Sequence, residues 1–138
     1  MEHEEVTHAV RWWTSHLKQP VVHSTGNPET SRRLTEVAAA YPLPDEQSIT
    51  DFAQSLTGIL NEQIERRITY GQWNAEQAGA QLPVRAETWY GPVDLLADAA
   101  GPAIHPAHLP AKTVMKIRPG VVYVLSGDRA TRHDVWHA

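Results

Sequence analysis

The chain of 138 residues contains no cysteine. This absence excludes disulfides, thiolate nucleophiles and cysteine-ligated metal sites, and it favours a reducing compartment, so we expect a cytoplasmic protein. Long apolar runs are missing too, since no stretch approaches the ~20 residues that cross a bilayer. Three of the first five residues are glutamates, whereas a signal peptide begins with a basic segment. The sequence therefore predicts neither a membrane span nor a classical secretion signal.

The sequence also lacks the motifs of the common catalytic sites. It has no Gly-x-x-x-x-Gly-Lys-Ser/Thr or Gly-x-Gly-x-x-Gly loop that would hold a phosphate. No serine lies in a Gly-x-Ser-x-Gly nucleophile elbow, and no His-Glu-x-x-His pair is present. We therefore assign no catalytic residue and no cofactor, and we favour a protein that is not an enzyme.

Charge is distributed unevenly along the chain. Residues 1–111 carry seven Lys or Arg against fourteen Asp or Glu, a net −7, whereas residues 112–138 carry five against two, a net +3. The N-terminal part is thus acidic and the tail is basic. This asymmetry favours a partner with a basic surface for the N-terminal part.

Three segments have the three- and four-residue apolar spacing of amphipathic helices. The first runs from Glu2 to Lys18. The second begins at Asn27-Pro28, an N-cap followed by proline at the first helical position, and carries a narrow apolar stripe. That stripe consists of Leu34, Val37, Ala38 and Tyr41.

The third helix begins between Asp45 and Ser48, where Ser48 to Asp51 resembles a capping box, and it ends at Arg66 and Arg67. A short helix is expected over residues 93–100, and a weaker one, capped by Asn74, between residues 68 and 86. Residues of the first and third helices are expected to share one core: Val10, Trp13, Phe52, Leu56, Ile59 and Leu60.

The tail changes to the alternating pattern of strands. Segments 113–118 and 121–126 flank Pro119-Gly120, a pair suited to the central positions of a type II turn, and a third strand is expected over 130–136. The three prolines between residues 102 and 110 indicate an extended surface connection. The sequence therefore predicts an α+β fold in one domain, residues 1–138, with an N-terminal cluster of three to five helices packed on a C-terminal three-stranded antiparallel β-meander.

Four of the eight histidines fall into two close pairs, His105 with His108 and His133 with His137, and Asp134 lies beside the second pair. Imidazoles and a carboxylate can ligate a metal. However, a proline follows His105, and two strand residues four apart share a face but lie ~13 Å from each other. We predict no metal site, and we keep a small enzyme using His and carboxylates, with or without a metal, as an alternative.

His8, Trp12 and His16 recur every four residues and therefore lie along one flank of the first helix, near Glu4 and Glu5. One interpretation is that Trp12 only widens the buried stripe. The other is that Trp12 is partly exposed and anchors a partner, since Trp is enriched among interface hot spots. On the second interpretation we predict a small accessory or regulatory protein that binds a basic surface of another protein. A phage or mobile-element origin would fit this function.

A third hypothesis is a nucleic-acid-binding module that uses the basic tail. A sheet that carries arginines, lysines and an aromatic ring can bind single strands. The candidates are Lys116, Arg118, Tyr123, Arg129 and Arg132. The net −7 of the remaining chain argues against this hypothesis.

Trp89 and Tyr90 are adjacent aromatic residues at the start of the short helix predicted over residues 93–100. We expect one of them to pack against the protein and the other to be available.

Overall fold

The computed structural model describes residues 3–74, 76 and 82–138. Four α-helices form in this part of the chain: α1 Glu4–Ser15, α2 Pro28–Ala40, α3 Glu46–Thr69 and α4 Asp94–Ala100. The three long helices lie where apolar spacing predicts them. Most of the weaker helix predicted near Asn74 falls on residues outside the described ranges.

Five strands of the described residues form one antiparallel sheet: β1 Val84–Thr88, β2 Pro92–Val93, β3 Thr113–Arg118, β4 Val121–Ser126 and β5 Thr131–His137. Their order is β2-β1-β3-β4-β5. The α+β class and the C-terminal meander of β3, β4 and β5 are confirmed, but the prediction of a three-stranded sheet was wrong. Strand β1 carries only two β-branched residues, Val84 and Thr88, separated by Arg85, Ala86 and Glu87, so its sequence indicates a strand less clearly than those of β3 and β4.

Side-chain oxygens cap two of the helices. Asn27 caps α2 by accepting a hydrogen bond from the backbone N–H of Thr30 at 3.1 Å, as predicted. The cap of α3 is Asp45, which accepts from the backbone N–H of Ser48 at 2.7 Å. The capping box proposed from Ser48 to Asp51 was therefore wrong, because Ser48 already lies inside the first turn.

One apolar core joins α1, α3, α4 and a single side of the sheet. The predicted core is confirmed for five of its six members, which are buried, while Ile59 packs against them partly exposed. The stripe of α2 was predicted too broadly. Only Ala38 is fully buried, whereas Val37 and Tyr41 are 39% and 49% exposed.

The other side of the sheet is covered by no helix of the described residues. In β3 and β4, buried residues face the core and alternate with partly exposed residues on this second side. We call this second side the open face. It includes Arg85, Glu87, Val114, Lys116, Arg118, Val121, Tyr123, Leu125, Arg132, Asp134 and His137.

The connection from α4 to β3 differs from the prediction. It was expected to be extended and superficial, but it forms two 3-10 turns, Gly101–Ala103 and Pro106–His108. Three residues of this connection, Ile104, Ala107 and Leu109, are buried. Proline at the first or second position, as at Pro106 and Pro102, suits such turns because its fixed φ matches a helical start.

In the described ranges, no helix is long and apolar enough to cross a membrane.

Candidate functional site

The predicted flank of α1 forms a small aromatic cluster. Trp12 makes edge contacts with His16, at 4.4 Å between ring centroids, and with Trp13, at 4.9 Å. At the other end of the flank, His8 stacks on Trp136 of β5 with a centroid distance of 5.0 Å and an interplanar angle of 9°. Trp12 is partly buried and packs against the core. The rings are therefore held in place by the fold.

Trp12 agrees in part with both interpretations of this flank. Its ring packs against the core, as in the first, and keeps part of its surface in solvent, as in the second. Burial lowers the pKa of His16 below its ordinary value, so this imidazole is neutral at pH 7. His16 and Val22 line a shallow cavity of about 260 Å³. Val22 is 82% exposed. The flank of α1 therefore continues into an exposed aliphatic surface at Val22, which the sequence analysis did not predict.

The acids of the flank lie at the start of α1. Glu4 is exposed and Glu5 is partly exposed. Beside them, Glu65 of α3 accepts a hydrogen bond from the Nε2 atom of His3 at 2.8 Å. Acidic side chains in a first helical turn interact favourably with the positive end of the helix dipole. This end of α1 therefore presents negative charge.

The two histidine pairs have different surroundings. The rings of His105 and His108 lie 5.7 Å apart, and His105 also stacks on Tyr41 at 3.8 Å. His133 and His137 do not share a side of β5, because a bulge at Val135 puts His133 opposite Val124 and His137 opposite Val121. The expectation that this second pair shares a face was wrong. No group of three or more His, Asp or Glu that could hold a metal occurs among the residues of the described ranges.

His23 lies in a segment predicted to be only a loop, and it is 4% exposed. Its Nε2 atom donates to the carbonyl oxygen of Ala107 at 2.9 Å, and its Nδ1 atom accepts from the backbone N–H of Ala111 at 3.1 Å. Burial lowers the pKa of His23, and the Ala107 hydrogen bond opposes this only in part. Through these two hydrogen bonds, the neutral ring links the loop before α2 to the connection before β3.

The open face carries two rows of side chains across four strands. One row is Arg85, Lys116, Tyr123 and Asp134, and the next is Glu87, Val114, Leu125 and Arg132. The guanidinium of Arg132 lies over the ring of Tyr123, 4.0 Å from its centroid, and donates to Asp134 at 2.9 Å. Three candidates of the nucleic-acid hypothesis, Lys116, Tyr123 and Arg132, are thus neighbours.

Trp89 and Tyr90 form the tip of the turn between β1 and β2. They are 59% and 45% exposed, with ring centroids 5.5 Å apart. The expectation that one of them packs inside the protein was wrong. The Nζ atom of Lys112 lies 4.9 Å from the Trp89 centroid and 5.7 Å from the Tyr90 centroid. Both rings therefore border the end of the open face.

Comparison with protein-family models and with curated protein sequences finds no match to this chain.

Proposed function

We propose that the protein is a non-enzymatic accessory protein that binds a basic surface of another protein through the flank of α1. The contact surface consists of Glu4, Glu5, His8, Trp12 and His16, and it extends to Val22. The observation that carries the proposal is the fixed position of Trp12, whose ring is held by Trp13 and His16 and still reaches solvent. Rigid aromatic side chains that are partly packed before binding lose little conformational entropy when a partner covers them.

Charge supports the same surface. Ten of the fourteen acidic residues that precede residue 112 lie in the four helices, which carry five arginines. Three of these carboxylates form ion pairs with arginines four residues away, and within the described residues those of Glu4 and Glu5 do not. At physiological salt the Debye length is about 8 Å, so a partner that approaches the start of α1 experiences mainly the nearby carboxylates of Glu4 and Glu5. A basic partner would associate faster, and Trp12 would supply short-range contacts that slow its dissociation.

The geometry of two buried histidines, His23 and His108, argues against a catalytic role for these two rings. Both ring nitrogens of His23 are used by backbone hydrogen bonds. His108 is 2% exposed, so a substrate in solvent cannot reach it. A general base must lie within hydrogen-bond reach of the proton that it removes, and these two rings offer no such position.

The proposal is tested by capture on immobilised protein, with quantitative mass spectrometry of the proteins retained from the native host. The variants are Trp12→Ala, Val22→Glu and, as a matched control, Trp89→Ala on the opposite side of the molecule. We expect a partner that is retained by the wild type and by Trp89→Ala but lost from the other two variants. Val22→Glu guards against misfolding, because this side chain is 82% exposed and contributes little to stability.

With the partner purified, Trp12→Ala should weaken binding by at least ~2 kcal/mol, about 30-fold, mainly through faster dissociation. Replacement of Glu4 and Glu5 by Gln should mainly slow association, and the effect should shrink at high salt. Retention of the same partner by Trp12→Ala and Val22→Glu at wild-type affinity would contradict the proposal.

A further inference from the structure

A cleft of about 280 Å³ lies at the end of the open face. Trp89 forms one wall, Val114 and Leu125 line its apolar part, and Lys112 and Lys116 border it. The volume suits one large side chain and lies at the lower end of the ~300–1,000 Å³ that small-molecule sites occupy. The cleft lies on the side of the sheet opposite α1, so it is separate from the proposed binding flank.

Two residues that line the cleft have a strained backbone conformation. Lys112 and Ala130 both have positive φ, 48° and 49°, a conformation that residues other than glycine rarely adopt. The N–H of Lys112 donates to the carbonyl of Trp89 at 2.6 Å, and its carbonyl accepts from the N–H of Gly127 at 2.9 Å. Strained residues persist where surrounding contacts hold them, and they cluster at binding sites.

Asp128 fixes the position of Lys112. Its carboxylate forms an ion pair with the Lys112 ammonium, which raises the pKa of this lysine. Asp128 is itself held by its backbone N–H, which donates to the carbonyl of Thr25 at 3.2 Å. Gly26 makes room for the carboxylate, because a Cβ atom there would lie 2.6 Å from Oδ2 of Asp128. The ammonium is thereby held over Trp89.

The charges around the cleft select its occupant. Three cationic side chains, Arg85, Lys112 and Lys116, line the cleft together with the carboxylate of Asp128. The carboxylates of Glu87 and Asp134 bring those on the open face and at its end to three. Arg85 and Lys116 also border a second cavity, which Glu62, Asp94 and Asp98 line. Within the described ranges, Lys116 has no ion-pair partner. An occupant that carries carboxylates beside an apolar side chain complements both the positive excess and the apolar lining.

Two observations favour a peptide over a nucleic acid. The three carboxylates are interspersed among the cations and would repel a continuous phosphate backbone. The guanidinium of Arg132 already covers the ring of Tyr123, which a base would otherwise stack on. A peptide with separate acidic residues can place its charges between those carboxylates.

We propose that the cleft beside Trp89 binds a short acidic peptide segment of a second protein. One aromatic or large aliphatic side chain of that segment inserts between Trp89 and the apolar pair Val114 and Leu125. Its neighbouring carboxylates lie against Lys116 and against Arg85, which they share with Glu87, the ion-pair partner of Arg85 at 3.5 Å. The protein would then bind a basic partner through α1 and an acidic one through the open face.

The probe is a capped pentapeptide with one tryptophan between two pairs of glutamates, titrated into ¹⁵N-labelled full-length protein and followed by NMR. We expect saturable shifts for the amides of Lys112, Val114, Lys116 and Leu125 and for the indole of Trp89. Matched probes replace the tryptophan by alanine, or all four glutamates by lysines. Each should bind at least tenfold more weakly.

Trp89→Ala and Lys116→Glu should each weaken binding of the first peptide at least tenfold, whereas Tyr70→Ala, a 72% exposed aromatic outside the cleft, should leave it unchanged. Lys116→Glu keeps the test valid if Trp89→Ala perturbs the fold. No shift at the cleft, or equal binding of the lysine peptide, would overturn the proposal. A twelve-nucleotide oligothymidine that shifts the same amides while the acidic peptide does not would assign the face to nucleic acid instead.

Discussion

Removing the imidazole of His23 should destabilise the protein strongly, although this residue lies in a loop. The ring satisfies the carbonyl of Ala107 and the N–H of Ala111, residues 84 and 88 positions away in sequence. His23→Ala would leave both backbone groups buried without these partners. An unsatisfied buried polar group costs ~1–3 kcal/mol, so the two together give about 2–6 kcal/mol. His23→Gln can replace one of the two bonds and should lose about half as much.

The same contact makes stability depend on pH. Burial lowers the folded-state pKa of His23 below the ordinary value of 6.5. Below pH 6.5 the unfolded chain therefore binds a proton that the folded protein does not bind. The stabilisation is complete above pH 6.5 and is lost as the pH falls towards the folded-state pKa. The pKa of His16 is also lowered by burial, so part of this slope remains when His23 is replaced.

Urea unfolding of the wild type, His23→Ala and His23→Gln between pH 5 and 8 measures both effects. The wild type should lose stability below pH 6.5, and both variants should have a shallower slope. Amide exchange of Ala111 should be at least tenfold faster in His23→Ala. A loss below ~1 kcal/mol in His23→Ala, with an unchanged pH slope, would refute the role assigned to this ring.

Two further changes test the core and the support of the cleft. Leu56→Ala removes a fully buried side chain from α3, and we expect a loss of ~2–5 kcal/mol in chemical denaturation; a smaller loss would mean that the core packs differently. Gly26→Ala must displace Asp128, and with φ at 94° it adds strain, so we expect a loss of ~1–3 kcal/mol and a lower pKa of Lys112 by NMR. Its control is Gly58→Ala on an open helical surface, which should be neutral or stabilising by up to ~1 kcal/mol; equal losses in both variants would dismiss the contact between Gly26 and Asp128.

Local patterns predicted the elements that depend on neighbours in sequence. The apolar spacing of α1 and α3 places their buried residues on one side, so the core could be anticipated. Pro119-Gly120 sets the turn between β3 and β4, and Gly120 adopts the positive φ of 78° that such a turn requires. In these elements local preference and tertiary packing agree.

The elements that the sequence did not predict depend on distant contacts. Strand β1 follows a region of weak pattern, and its place in the sheet is set by pairing with β3, from Val84 opposite Ile117 onward. The partners of His23 are more than eighty residues away, so no local spacing indicates that this ring is buried. The bulge at Val135 puts His133 and His137 on opposite sides of β5.

The candidate site likewise combines features that local sequence predicts with features that depend on distant contacts. His8, Trp12 and His16 lie on one flank because they share a helix, which the four-residue spacing predicts. The stack of His8 on Trp136 joins residues 128 positions apart and could not be predicted from spacing. The cleft beside Trp89 likewise assembles residues of β1, β3, β4 and the turns between them.

Hydrogen exchange of the protein alone and in complex with its captured partner tests the central claim most directly. If the flank of α1 binds that partner, protection should increase in the second half of α1 and in residues 16–22, while the open face exchanges as it does in the free protein. Val22→Glu should abolish this protection at the same partner concentration. Protection confined to residues 84–134, with residues 8–22 unchanged, would contradict the proposed function.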